Sequence, residues 1–159
     1  MPQGVIIVRR ARPDDAPALK AILRDTFEST WRPNITPEAA RAHVESGRAG
    51  KFVDEKVQAF LVAEVGGAVV GLAHWQDDFV HALHVRASHA RQGVGGLLMD
   101  RVEDEIARAR FVAARLETDT FNTAARAFYA ARGYSEAGLY PDEEWNSGLT
   151  TVLMVKTLT

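Results

Sequence analysis

The spacing of apolar positions along the chain changes several times, and each change marks an element. Val5-Ile6-Ile7-Val8 is an unbroken β-branched run, which predicts a buried strand. Leu19, Ile22, Leu23 and Phe27 then recur at three- and four-residue intervals, the stripe of an amphipathic helix. Asp14 is placed to cap that helix, and Pro17 is tolerated in its first turn. Thr36-Pro37 repeats the start signal, a cap followed by proline at the first helical position, and Gly47 ends this second helix. Residues 60–65, 69–75 and 79–85 are three extended runs. Gly66-Gly67 joins the first two as a tight hairpin, since both residues accept positive φ. Leu98, Val102, Ile106 and Ala109 line one face of the next helix. A strand over 112–118 follows, then Asn122 caps a helix that Gly133 ends. Strands over 134–140 and 150–158 close the chain. Between them Pro141-Asp142-Glu143-Glu144 and Asn146-Ser147-Gly148 supply loop chemistry.

The element order is therefore β-α-α-β-β-β-α-β-α-β-β. Hairpins dominate, and only the centre has a strand-helix-strand crossover. This predicts an α+β (mixed α/β) fold: a central, mostly antiparallel, twisted sheet of roughly six to seven strands flanked by about four helices. At 159 residues the chain suits a single domain over 1–159. A formal charge of −2 gives no overall drive toward nucleic acid or an anionic membrane. The absence of cysteine excludes disulfides, thiolate metal sites and a cysteine nucleophile. No His/Asp/Glu cluster has metal-ligand spacing, so no metal is expected. No run approaches the ~20 apolar residues of a membrane span, and the N-terminus lacks the apolar core of a signal peptide. A cytoplasmic protein is expected.

Candidate chemistry concentrates between Leu83 and Leu98, where an extended run gives way to a basic turn and then to Gln92-Gly93-Val94-Gly95-Gly96 opening a helix. A helix start with bare N–H groups and a positive dipole is an anion site, and glycine lets a phosphate approach the backbone. The phosphate loop of nucleotide hydrolases is excluded, because Gly-Leu-Leu stands where Gly-Lys-Ser/Thr is needed. A dinucleotide fingerprint would put glycine where Leu98 stands, although Glu117 ends the next strand where a ribose-binding acid would sit. Glycines serving only a tight strand-to-helix turn are the third reading.

Leu83-x-Val85, the basic loop and Arg91-Gln92-Gly93-Val94-Gly95-Gly96-Leu97-Leu98 resemble the acetyl-CoA signature of the GNAT superfamily of N-acetyltransferases, with Ala90 where that signature has Gln or Arg. Asn122-x-x-Ala125-x-x-Phe128-Tyr129-x-x-x-Gly133-Tyr134 resembles the family's second block, a helix closing the cofactor site. Val8-Arg9-Arg10-Ala11 followed by Asp14-Asp15 is similar to its usual first strand and cap. The resemblance thus spans nearly the whole chain.

It implies transfer of an acetyl group from acetyl-CoA to a primary amine by direct attack. The implied cofactor-binding set is Leu83, His84, Val85, Arg91, Gln92, Gly93, Val94, Gly95, Gly96, Asn122 and Tyr129. Free main-chain groups at Leu83, His84 and Val85 would serve the pantetheine arm and the thioester carbonyl, and the turn at 91–96 the pyrophosphate. Tyr129 is the expected general acid, since a phenol with pKa near ~10 stays protonated at neutral pH. For the base, His81 lies two residues before Leu83, hence on the same strand face, and titrates near neutrality. Glu64 is its rival, and a bulk-water route the third option. His74 and His84 suit packed or exposed strand positions.

The acceptor side falls to the first two helices and the late loop, where Trp31 and Trp145 stand; Trp31 is the candidate substrate-binding residue. Asp77-Asp78 and Asp142-Glu143-Glu144 are placed to draw in a positively charged amine, or are solvated surface. The expected partner is a small-molecule or peptide amine, with neither nucleic acid nor membrane, and homodimers are frequent among similar proteins. Two rivals remain: a non-catalytic acyl-CoA-binding or sensing module on the same fold, and a nucleotide-binding oxidoreductase fragment.

Overall fold

The structure is a computed structural model and describes residues 4–142 and 148–158. Among the described residues seven strands form one sheet in the order β1-β2-β3-β4-β5-β7-β6. They are β1 (Ile6–Arg10), β2 (Phe60–Val65), β3 (Ala68–Gln76), β4 (Phe79–Val85), β5 (Ala113–Asp119), β6 (Ser135–Pro141) and β7 (Thr150–Thr157). Only β4 and β5 run parallel; the other neighbours are antiparallel. The α-helices are α1 (Ala16–Thr26), α2 (Pro37–Ser46), α3 (Arg48–Lys56), α4 (Val94–Arg108) and α5 (Thr123–Ala131). The mixed fold and its strand count follow the hydrophobic pattern. Among the described residues no helix is long and apolar enough to cross a membrane.

Strand alternation divides the interior in two. Leu61, Ala63, Ala73 and Val80 pack under Val94, Leu98, Met99, Val102 and Ile106 of α4. Phe60, Val62 and Leu72 pack under Leu19 and Ile22 of α1 and Val53 of α3. The central strands are thus buried on both faces and read as continuous apolar runs. Gly71 lets α4 lie close on β3: a Cβ there would stand 3.0 Å from Val94 Cγ1 and 3.1 Å from Leu98 Cδ1.

Two caps form as expected. Thr36 accepts the Ala39 N–H at 3.1 Å, and Asn122 accepts that of Ala125 at 3.1 Å; Gly47 ends α2 in the left-handed region. Four expectations need correction. Asp14 caps nothing; Asp15 takes the Arg12 N–H at 2.7 Å and the Arg9 guanidinium at 2.8 and 3.1 Å. The first strand is a sheet edge rather than buried, with Val5 and Ile7 exposed. Ala109 is the exposed C-terminal cap of α4, beyond its buried stripe. The additional helix, α3, begins directly after Gly47; Val53 is its buried residue, Ala49 and Val57 continue the same spacing, and Phe52 stays partly exposed at the edge of the cleft.

Candidate active site

The sheet opens at its parallel pair. Strands β4 and β5 pair only at Phe79↔Arg115 and Val80↔Leu116. Asp78 clamps that end, its carboxylate taking the Arg115 guanidinium at 2.8 and 3.0 Å and its carbonyl the Arg115 N–H at 2.8 Å. Beyond Val80 the two strands part, and a cleft of about 1400 Å³ fills the gap. Its walls come from both faces of the sheet. Asn122, the cap of α5, and Ala125 and Tyr129 within it line one side; Phe27, Trp31, Phe52, His74 and His81 line the other.

A bulge in β4 shapes this gap. His74 pairs with Ala82 and Trp75 with Val80, so His81 is the extra residue. Alternation therefore restarts after it. Leu83 packs with the α4 core and Ala82 with the α1–α3 core, while the His81 ring lies 5.4 Å from His74 and 4.8 Å from Phe79. His81 is thus on the face opposite Leu83, contrary to the two-residue count, because the bulge shifts the parity.

The same ladder decides which main-chain groups are free. Arg86 donates its N–H to Val70 at 2.8 Å, so alternation turns the groups of His84 toward β3 and those of Leu83 and Val85 toward the gap. The expectation for His84 is corrected accordingly. Its side chain touches Trp31 edge-on at 5.7 Å, and burial pushes its pKa down to about 4.

The turn that follows holds Arg91 at φ 62° and Gly93 at φ 86°, left-handed conformations of the kind that build anion-binding turns. Gly93 caps α4 with no side-chain bond, and the first N–H to find an intrahelical partner is that of Leu97, on the Gly93 carbonyl at 3.1 Å. The N–H groups of Val94, Gly95 and Gly96 are left for an outside acceptor. The chemistry of this cradle, uncapped N–H groups at a helix start, suits a phosphate. The glycines divide the work: Gly93 supplies the positive φ, whereas the Cα of Gly95 faces Phe128, where a Cβ would stand at 3.5 Å. Arg91 is exposed and Gln92 half-buried. Arg86 is tied to Asp25 at 3.3 Å and to the Val69 carbonyl at 3.3 Å.

Tyr129 is 8% exposed on the cleft wall, and burial pushes its pKa up from the ordinary value. Its hydroxyl has no hydrogen-bond partner among the described residues. Asn122 combines capping with a place on the wall. Trp31 ends a π-helical turn, Phe27–Trp31, and its indole donates to Asp119 at 2.8 Å across the gap. Burial raises the Asp119 pKa. Glu117 accepts the Tyr140 hydroxyl at 2.7 Å. Trp145, Glu143 and Glu144 lie outside the described residues.

Glu64 is not brought to the cleft. It lies four residues along β2 from Phe60, roughly 13 Å on an extended strand, and its carboxylate pairs with Arg9 at 3.2 Å. Its sequence position, late in a strand beside the signature, could not reveal that partner. Gly71, Phe52 and Asp119 were missed; only the spacing around Phe52 carried a signal.

Residues 17–134 match the family model described as the Acetyltransferase (GNAT) family. The chain belongs to the GNAT acetyltransferase family. An uncharacterized N-acetyltransferase of Methanocaldococcus jannaschii is 25% identical over 95% of this chain and 91% of its own length. The blasticidin-S acetyltransferase of Streptomyces morookaense is 35% identical over 60% of this chain and 68% of its own. The crystal structure of a PaiA N-acetyltransferase from Thermoplasma acidophilum, in complex with coenzyme A, has a TM-score of 0.78 at 14% identity, covering 96% of this chain and 99% of that one. The GNAT assignment makes the chain an acyltransferase, and it removes the oxidoreductase rival.

Proposed function

We propose that this single domain transfers an acetyl group from acetyl-CoA to a primary amine by direct attack. The observation that carries this reading is the gap between β4 and β5, opening beside the uncapped start of α4. Bound there, acetyl-CoA supplies an acyl carbon activated by a thiolate leaving group. The N–H groups of Val94, Gly95 and Gly96, with the concavity at Arg91 and Gly93, hold the pyrophosphate. Leu83 and Val85 present main-chain groups to the pantetheine arm, and an N–H there stabilises the oxyanion as the amine nitrogen bonds the acyl carbon. Tyr129 gives its proton to the departing sulfur as the C–S bond breaks; its raised pKa keeps that proton in place at neutral pH. His81, on the opposite face, takes the proton that the amine loses. Asn122 holds the start of α5 and borders the cofactor. Trp31, fixed by Asp119, walls the acceptor side.

Thermal unfolding with added CoA, acetyl-CoA or NADH tests the binding. A ligand at a hundredfold its dissociation constant stabilises by about 2.7 kcal/mol, so the first two raise the melting temperature and NADH does not; the reverse result sinks the reading. With an accepted amine, Tyr129→Phe lowers kcat for thiol release by about 100-fold. Because the hydroxyl makes no bond in the fold, the melting temperature barely changes. Full activity in the variant removes Tyr129 from the chemistry.

A further inference from the structure

The end of the cleft between α3 and strands β3 and β4 contains a polar group that the chemistry above leaves unused. His74 is 6% exposed and lies on the cleft wall, and among the described residues its Nδ1 has no hydrogen-bond partner. Phe52 stands edge-on to it at 4.9 Å between ring centroids, Phe60 at 5.1 Å and His81 at 5.4 Å. Phe79 lies 4.8 Å from His81 and completes an aromatic lining. A buried polar atom left unpaired is costly and calls for an explanation. Burial also holds His74 neutral, its pKa pushed down to about 4. A neutral imidazole offers one donor and one acceptor but no charge. A charged group against this wall would be desolvated without a counter-ion. A flat, uncharged ring suits it instead, packing offset or edge-on against the phenyl groups.

On the acetyl-transfer reading, we propose that this end of the cleft is the acceptor subsite, that it takes an amine carried on an aromatic or heteroaromatic ring with a hydrogen-bonding edge, and that His74 selects that edge. The ring lies among Phe52, Phe60 and Phe79, the polar edge pairs with His74, and the amine reaches past His81 into the gap between β4 and β5.

Calorimetric titration of the CoA-loaded protein with tyramine, phenethylamine and cadaverine tests this without requiring turnover. Tyramine binds best, phenethylamine about tenfold more weakly for want of one hydrogen bond, and cadaverine more weakly still. His74→Phe removes the difference between the two ring amines and leaves CoA affinity unchanged, while His74→Gln, which keeps a donor and an acceptor, restores part of it. Preference for cadaverine, absence of binding by any of the three, or a tyramine advantage that survives in His74→Phe overturns the subsite. Should the protein fail to bind CoA, the acetyl-transfer reading falls with it; normal CoA binding with no ring preference defeats the subsite alone. A His74→Phe protein that does not fold is replaced by His74→Asn, whose shorter side chain must also narrow the tyramine advantage.

Discussion

His81 stands only narrowly ahead of Glu64 as candidate base when their neighbours in the chain alone are known, and the side-chain partners separate them further. His81 stands in a bulge on the cleft wall, whereas Glu64 is engaged by Arg9 at the other end of β2. His81→Ala is expected to lower kcat/KM at pH 7 by about 100-fold, with Glu64→Gln leaving it unchanged. Steady-state thiol release decides between them, and equal activity of both variants would leave proton removal to water. His74 adds a pH signature. Its native pKa, near 4, lies below the ordinary ~6.5. Between those values the unfolded chain binds a proton that the native state refuses, so stability is complete above about pH 6.5 and is lost as pH falls toward 4. Urea unfolding is expected to show a loss by pH 5 to which His74 contributes on the order of 2 kcal/mol beside that of His84, with a shallower slope in His74→Phe.

The elements that matter are those whose ends meet at the gap. Helix α4 reaches the end of β4 because Gly71 admits Val94 and Leu98, and it starts uncapped because Gly93 alone takes φ 86° without strain. Gly71→Ala forces its Cβ against both side chains and against the His84 carbonyl at 3.2 Å, which no rotamer change relieves. The expected cost is about 1–3 kcal/mol of stability, together with weaker CoA binding as the helix start shifts. Denaturant unfolding and calorimetry measure both, and loss of stability with unchanged CoA affinity would show that the placement of α4 is not critical. Glycine 93 was legible in sequence because a left-handed residue before an apolar stripe is a local requirement. Glycine 71 was not, because its constraint comes from a helix that begins 23 residues later.

For the molecule as a whole, a sheet pinned at Asp78–Arg115 and open beyond Val80 gives one cleft reached from both faces. Acid and base candidates therefore stand on opposite faces of the sheet. Backbone amides in 81–85 and 93–96 are expected to gain hydrogen-exchange protection when CoA is added, and those of β1 to be unaffected. Protection confined to regions outside the gap would place the cofactor elsewhere. The order of the strands and of every helix except α3, the two family blocks, the caps at Thr36 and Asn122 and the turn at Gly93 were determined by the sequence itself, since periodicity, capping and φ preferences act within a few residues. What only the tertiary structure decided is the face on which His81 lies, the main-chain groups that remain free, the engagement of Glu64 by Arg9 and the unpaired nitrogen of His74. A bulge reverses side-chain parity, and an ion pair joins distant strands. Both depend on how the sheet is registered and packed, and so they emerge only once the chain has folded.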